Sequence, residues 1–177
     1  MWWRRAADQE ELRRRRAERA NARGLRLSGA GRLEKAVVAF QEAVDLVPTK
    51  LEARVNLGST YYQLAVRRRD ERGRGWLEEA ARHFEYVLGL DADHPQAALN
   101  LAATRNALGD HDEALRLLEG LTRSRPQQRD VFYNLAVAYL QAKRFADARR
   151  AAATELERHP DHQLAAALLD HLRTAEG

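Results

Sequence analysis

The feature that most constrains this chain is an internal repeat. Similar stretches begin at Ala17, Leu51, Pro95 and Arg129, and a truncated fifth stretch begins at Gln163. The successive steps between these starts are 34, 44, 34 and 34 residues. A 34-residue period is typical of stacked helix–turn–helix units, none of which can bury its apolar face alone. The repeat therefore predicts an all-α chain folded as an α-solenoid.

The residues that carry the period have sizes that suit close helix packing. Small residues occupy the eighth position of the repeats, as Gly24, Gly58, Ala102 and Ala136, and the twentieth position, as Ala36, Ala80, Ala114 and Ala148. Large side chains follow four places after the twentieth position, namely Phe40, Phe84 and Leu118. Prolines follow the helix ends, namely Pro48, Pro126 and Pro160. Helix axes about 8 to 10 Å apart exclude bulky side chains from the small positions. The pattern predicts helix pairs that cross closely.

This pattern resembles the tetratricopeptide repeat, whose signature combines aromatic residues, Leu-Gly, Tyr, Ala, Phe, Ala and Pro. The resemblance implies a right-handed superhelix of antiparallel helix pairs over residues 17–176. The predicted division is a basic helical extension 1–16, repeats 17–50, 51–94, 95–128 and 129–162, and a capping helix 163–176. In the capping helix, Ala165, Leu168, Leu169 and Leu172 are predicted to cover the fourth repeat.

Local signals refine the helix boundaries. Thr49 with Glu52, and Asp110 with Glu113, have the spacing of a capping box, which predicts helix starts near Lys50 and His111. A ten-residue insertion lies near 66–75. We expect a solvated helix end followed by a loop, because charge runs usually only solubilise; the alternative is that the helix that contains Tyr61 continues as far as Gly73, as a basic spur.

The N-terminal segment is strongly basic. Residues 1–32 hold ten arginines and four acidic residues, a net charge of +6, against +4 for the whole chain. Trp2 and Trp3 beside two arginines suit an anionic lipid surface or an apolar groove. The alternative is a frayed tail with a helix that starts near Asp8. No secretion signal or apolar run of 18 residues is found, so we expect a cytoplasmic protein, and the ratio of 27 arginines to 3 lysines suggests a bacterial one.

The chain offers no arrangement typical of catalysis. It has no cysteine, and its three serines lie outside any nucleophile or phosphate-loop motif. The six histidines do not form a metalloprotease motif, and Pro160 separates His159 from His162, which are predicted to be loop residues rather than ligands. We therefore expect no enzymatic activity, cofactor or metal.

The resemblance also indicates which residues meet a partner, because the first helix of each pair lines the concave groove in this family. The residues at the corresponding positions are Glu52, Val55, Asn56, Ser59, Tyr62, Gln63, Gln96, Leu99, Asn100, Asn106, Asp130, Tyr133, Asn134, Val137 and Gln141. Asn56, Asn100 and Asn134 recur at one repeat position and are predicted to hold an extended backbone through their carboxamides. Four groove residues are expected to supply apolar pockets, namely Val55, Leu99, Tyr133 and Val137.

The family's carboxylate clamp is not expected, since Asn21, Val55, Gln96, Asn100 and Asp130 stand where it needs cations or their partners. The leading hypothesis is a non-enzymatic adaptor that binds a partner peptide or helix, or a second copy of itself. The alternative is an electrostatic binder of nucleic acid or anionic membrane, which the interleaved acids disfavour. Its predicted basic patch comprises Arg13, Arg14, Arg15, Arg16, Arg67, Arg68, Arg69, Arg72 and Arg74.

Overall fold

The computed structural model describes residues 2–68 and 70–174, with side chains from residue 7 onward. These described residues form nine α-helices and no strand. The helices are α1 Trp2–Gly29, α2 Leu33–Leu46, α3 Leu51–Val66, α4 Glu71–Leu90, α5 Pro95–Leu108, α6 His111–Ser124, α7 Val131–Gln141, α8 Phe145–Arg158 and α9 Gln163–Thr174. The predicted all-α architecture is thereby confirmed. Helix α1 begins at Trp2 rather than near Asp8, which corrects the frayed-tail alternative.

Short turns make the consecutive helices antiparallel pairs. The turn after α1 contains Gly31 with φ 71°, and the turn after α5 contains Gly109 with φ 95°. Lys143 has φ 59° after α7, at the same repeat position as these glycines. Only glycine adopts this left-handed conformation without a steric cost, so Lys143 stands where glycine fits better.

The chain divides into two compact units, Met1–Ala92 and Asp93–Gly177. In the first unit, a Cβ on Gly24 would lie 2.5 Å from the Phe40 ring, and a Cβ on Gly58 would lie 2.8 Å from the Phe84 ring. Both rings are buried. The glycines at the eighth repeat position therefore exist because a phenylalanine fills the space that a side chain would occupy.

The second unit has alanine where the first unit has these glycines, and a smaller side chain than phenylalanine opposite it. Its core includes Ala102, Leu118 and Ala136, together with the buried Val131 and other side chains of α5 to α9. Helix α9 contributes three buried residues, namely Ala165, Leu169 and Leu172, while Leu168 is partly buried. The last helix thus covers the preceding pair with one apolar face.

The ten-residue insertion lengthens α4 and not α3. Helix α3 ends at Val66, and Asp70 begins α4 by accepting a hydrogen bond from Gly73 N at 3.1 Å. A Cβ on Gly73 would collide with the Arg68 carbonyl oxygen. The alternative of a spur that continues α3 to Gly73 is therefore wrong, because α3 ends at Val66 and Asp70 caps a new helix; the described residues show the expected helix end followed by a loop.

Two other local predictions concern helix caps. Helices α3 and α6 begin at Leu51 and His111, close to the expected positions, but neither N-cap residue makes a side-chain cap hydrogen bond. The Asp110 carboxylate instead lies 3.2 Å from an Arg105 nitrogen, and Glu52 accepts a hydrogen bond from Asn21. The predicted capping boxes are therefore wrong, since these carboxylates have partners elsewhere.

Among the described residues, no helix combines the length and the apolar character needed to cross a membrane.

Candidate interaction surface

The first helices of the pairs from α3 onward differ from the second helices in charge. Helix α7 carries no Asp, Glu, Lys or Arg, α5 carries only Arg105, and α3 carries Glu52 and Arg54. By contrast, α6 carries five such residues and α8 carries six. The Arg105 guanidinium forms ion pairs at 3.2 and 3.3 Å with carboxylates at the start of α6. The first helices of the second unit are therefore nearly uncharged.

Helices α5 and α7 pack against each other and together carry most of the predicted groove residues of the second unit. Gln96 and Gln141 are exposed, and the others apart from Leu99 are half-buried, namely Asn100, Asn106, Asp130, Tyr133, Asn134 and Val137. Burial, and to a lesser extent Asp130, raises the pKa of Tyr133 above its usual value. These side chains form a mostly polar and aromatic surface.

Two of the predicted apolar pockets are not open. Val55 is 8% exposed and Leu99 is 5% exposed, so both belong to the core. The prediction that these two side chains form pockets for a partner is corrected, because the helices beside them already cover them. Tyr133 and Val137 remain half-buried and accessible in part.

The three recurrent asparagines make different contacts. Asn56 donates to Asn21 Oδ1 at 3.0 Å, and Asn21 in turn donates to Glu52 Oε1 at 3.0 Å. Asn134 donates to the Asp130 carbonyl of its own helix at 2.8 Å, and Asn100 accepts from Gln96 at 2.9 Å. In the first unit the asparagine joins α3 to α1, so it is a structural contact there. The remaining groove residues of α3 are the half-buried Ser59 and Tyr62 and the exposed Gln63.

A buried carboxylate organises the start of α7. Glu155 of α8 is 0% exposed and accepts hydrogen bonds from the backbone N–H groups of Asp130, Phe132 and Tyr133 at 2.9, 3.1 and 3.2 Å. The first N–H groups of a helix lack partners within it, and a negative charge near them is favourable. Glu155 therefore caps α7 from a different helix.

His162 makes a second junction beside this carboxylate. It is 4% exposed, its Nδ1 accepts from Ala165 N at 3.0 Å, and its Nε2 lies 2.8 Å from Asp130 Oδ1. As predicted, His162 lies outside the helices, in the turn between α8 and α9, but its buried ring caps α9 there. His94 also accepts a hydrogen bond from Ala97 N, at 3.3 Å, at the corresponding place before α5. The repeat spacing of these two histidines was the signal that could have revealed the caps.

Asp130, Glu155 and His162 have ligand atoms within 4.8 Å of one another, a donor set compatible with a divalent cation. The tautomer argues against that use. Because Nδ1 of His162 accepts from Ala165 N, the neutral ring carries its proton on Nε2, which then donates to Asp130. Binding a metal through Nε2 would require loss of the α9 cap. The observed contacts account for the cluster as a hydrogen-bonded junction.

The predicted basic patch is exposed where the structure describes it. Arg14 and Arg15 pair with glutamates one turn earlier in α1, at 2.9 and 2.7 Å. Arg68 lies 3.9 Å from Asp70, and Arg74 lies 3.3 Å from Glu78. The exposed set also includes Arg13, Arg16, Arg67 and Arg72. Arg69 and the side chains of Trp2 and Trp3 lie outside the described residues, so their predicted roles stay predictions.

Comparison with known proteins now identifies the family. A model of the tetratricopeptide repeat matches residues 73–132 and 106–172, which together make up more than half of the chain. The chain belongs to the tetratricopeptide repeat family. This fold suggests a protein–protein interaction scaffold, and members of the family are generally non-enzymatic interaction modules.

Solved structures show the same fold at low sequence identity. MamA AMB-1 is 20% identical, with a TM-score of 0.67 over 86% of this chain and 85% of that one. TTC0263, a thermophilic TPR protein in Thermus thermophilus, is 20% identical, with a TM-score of 0.66 over 89% and 99%. A chain of the APC/C hetero-tetramer Cut9-Hcn1 is 18% identical, with a TM-score of 0.73, and the match covers 86% of this chain and 29% of that one. A search of curated proteins found no match. These similarities confirm the all-α solenoid class.

Proposed function

We propose that this chain is a non-enzymatic scaffold of the cytoplasm that binds a peptide or helix of a partner protein on the first helices of its repeats. The observation that carries this proposal is the charge difference between the helices. Helix α7 has no charged side chain, whereas the adjacent α8 has six. A partner that covers α5 and α7 would therefore remove almost no charge from water.

That difference matters because desolvation opposes binding. A buried charge without a partner is costly, while the cores of protein interfaces are depleted in charge and enriched in aromatic residues. Tyr133 supplies an aromatic surface, and Asn100 and Asn134 supply carboxamides that suit a peptide group. Asn56 is better explained by its bond to Asn21. The second unit is thus the preferred location for partner contact.

Site-specific cross-linking tests this location. A photoreactive amino acid is placed at the exposed Gln96 or Gln141 of the first helices, with Arg116 and Arg150 of the second helices as matched exposed controls. In extracts of the native host, we expect a partner protein to cross-link from the two glutamine positions. Cross-links from the arginine positions alone would refute binding on the first helices.

A pair of alanine variants tests the carboxamide contact once a partner is identified. Asn134→Ala removes a side chain that bonds to its own helix at 2.8 Å, and Thr154→Ala removes a similar bond of 2.9 Å on α8. Alanine favours helix, so both variants should stay folded. We expect several-fold weaker binding for Asn134→Ala only, from a lost hydrogen bond of about 0.5 to 1.5 kcal/mol. Equal affinities would remove Asn134 from the site.

A further inference from the structure

Two short segments of the first unit, besides the basic start of α1, are rich in positive charge. Residues 26–35 contain three basic residues and one acidic residue, a net charge of +2, and residues 67–74 contain five arginines and two acids, a net charge of +3. Their sum, +5, exceeds the net charge of +4 of the whole chain. The rest of the chain is therefore slightly acidic.

The fold brings these segments to one edge of the first unit. The Asn56 side chain bonds to Asn21 at 3.0 Å, which fixes α3 beside α1. From this bond α1 continues for eight residues to Gly29, and α3 continues for ten residues to Val66. Both helices run in the same direction, since each is followed by an antiparallel partner. At 1.5 Å per residue, their ends differ in height by only about 3 Å.

The basic side chains at this edge are accessible. Arg26 at the end of α1, Arg32 and Arg67 in the turns, and Arg72 at the start of α4 are all exposed. The ion pairs here, such as Arg74 with Glu78 at 3.3 Å, are between exposed side chains. Exposed pairs contribute little stability, so these arginines can exchange their partners for a ligand at small cost.

We propose that this edge binds an acidic segment of a partner protein. Arginine pairs with carboxylates through two parallel hydrogen bonds, which favours discrete acidic side chains. Glu34, Asp70 and Glu71 lie among the arginines, and Asp70 is held in place because it caps α4 through Gly73 N. These acids would repel a uniformly charged phosphodiester chain, whereas a peptide can place its carboxylates opposite the arginines and away from the acids. This surface is separate from the one on α5 and α7.

The test uses the full chain and a fluorescent peptide of alternating glutamate and glycine, whose carboxylates are spaced apart, at low and physiological salt. The edge variant is Arg32→Gln with Arg72→Gln, and the control is Arg13→Gln with Arg16→Gln, which removes the same charge from exposed positions of α1 away from the edge. We expect the edge variant to bind the peptide about three- to tenfold more weakly, because two exposed ion pairs are lost, and the control to bind within twofold of the unaltered chain. Circular dichroism and melting check that both variants are folded.

Three results would overturn the proposal. Equal weakening in both variants would mean that only net charge matters. No measurable binding of the glutamate–glycine peptide to the unaltered chain at low salt would exclude an acidic protein ligand. Tighter binding of a single-stranded oligonucleotide or of anionic vesicles, lost in the edge variant, would assign the edge to phosphate instead.

Discussion

The crossing of α3 and α4 gives a sharp test of the packing. A Cβ at Gly58 would lie 2.8 and 2.9 Å from two atoms of the Phe84 ring and 3.3 Å from the Ala80 carbonyl oxygen. The ring is 0% exposed and cannot turn into solvent, and the carbonyl belongs to the backbone of α4. Gly58→Ala must therefore push the two helices apart or displace a buried ring.

The size of the effect follows from two opposing contributions. Adding a methyl group to a filled core typically costs about 1 to 3 kcal/mol. Alanine within a helix is favoured over glycine by about 0.5 to 1 kcal/mol, which offsets part of that cost. We expect Gly58→Ala to lower the free energy of unfolding by about 0.5 to 2 kcal/mol. Urea titration and thermal melting followed by circular dichroism would measure the change.

Two further variants decide whether packing is the reason. Gly75→Ala lies in α4 of the same unit, where nothing lies within 4 Å of the added Cβ, so it should stabilise the chain by about 0.5 to 1 kcal/mol. Phe84→Leu should cost less stability in the Gly58→Ala chain than in the unaltered chain, because Ala102 and Leu118 occupy the same repeat positions. If Gly58→Ala proves as stable as the unaltered chain, or if Phe84→Leu costs as much in the Gly58→Ala chain as in the unaltered chain, the steric explanation is wrong.

Three other changes test separate features. Glu155→Ala should lower the free energy of unfolding by about 2 to 4 kcal/mol, because three half-buried backbone N–H groups lose the acceptor of their hydrogen bonds. The exposed Glu157→Ala should change urea stability by less than about 0.5 kcal/mol. Lys143→Gly should raise the melting temperature, through a gain of about 0.5 to 1 kcal/mol in the free energy of unfolding, since Gly109 shows that glycine suits this left-handed position. A lower melting temperature would show that the backbone at Lys143 is not strained. Burial and two neighbouring arginines lower the pKa of His83 from 6.5 to about 4, so below pH 6.5 the unfolded chain binds a proton that the folded chain does not. The free energy of unfolding should therefore fall between pH 6.5 and 4 by about 1 to 2 kcal/mol more in the unaltered chain than in His83→Gln. This value is reduced because the ring is partly solvated. Parallel curves of stability against pH for the two chains would refute the prediction.

The repeat pattern predicted the helices because it records packing. Gly58 and Phe84 report a contact between two helices through their sizes, and the same positions recur every 34 residues apart from the insertion. The sequence alone shows this pairing of sizes, because the total side-chain volume at each close helix crossing must stay nearly constant. The fold class was therefore accessible from the sequence.

The caps and the site depend on partners that local spacing does not show. Asp110 has the residue type and spacing of a cap, yet its carboxylate pairs with Arg105. Glu155 looks like an ordinary surface residue of a charged helix, and only the fold reveals that it meets the start of α7. Val55 lies at a groove position of the repeat, but the neighbouring helices bury it. These outcomes depend on distances between helices, which residue spacing alone does not specify.

The insertion contained a signal that favoured the observed structure. Asp70 is a preferred N-cap residue, and Glu71 follows it in the first helical turn, where negative charge is favourable. The N-cap signal at Asp70 therefore predicts the start of α4 correctly, whereas the run of arginines does not.

The matched sizes within each helix pair also determine how such an array can be rebuilt. Gly24 with Phe40, and Gly58 with Phe84, are complementary within a pair, whereas Ala102 goes with Leu118. A repeat that is duplicated or transplanted whole takes its own complement with it. A chimera that joins the first helix of one repeat to the second helix of another can combine alanine with phenylalanine and so create a collision. Recombination, in evolution or in the laboratory, is therefore expected to preserve folding when its breakpoints fall between pairs and to disrupt folding when they fall inside one.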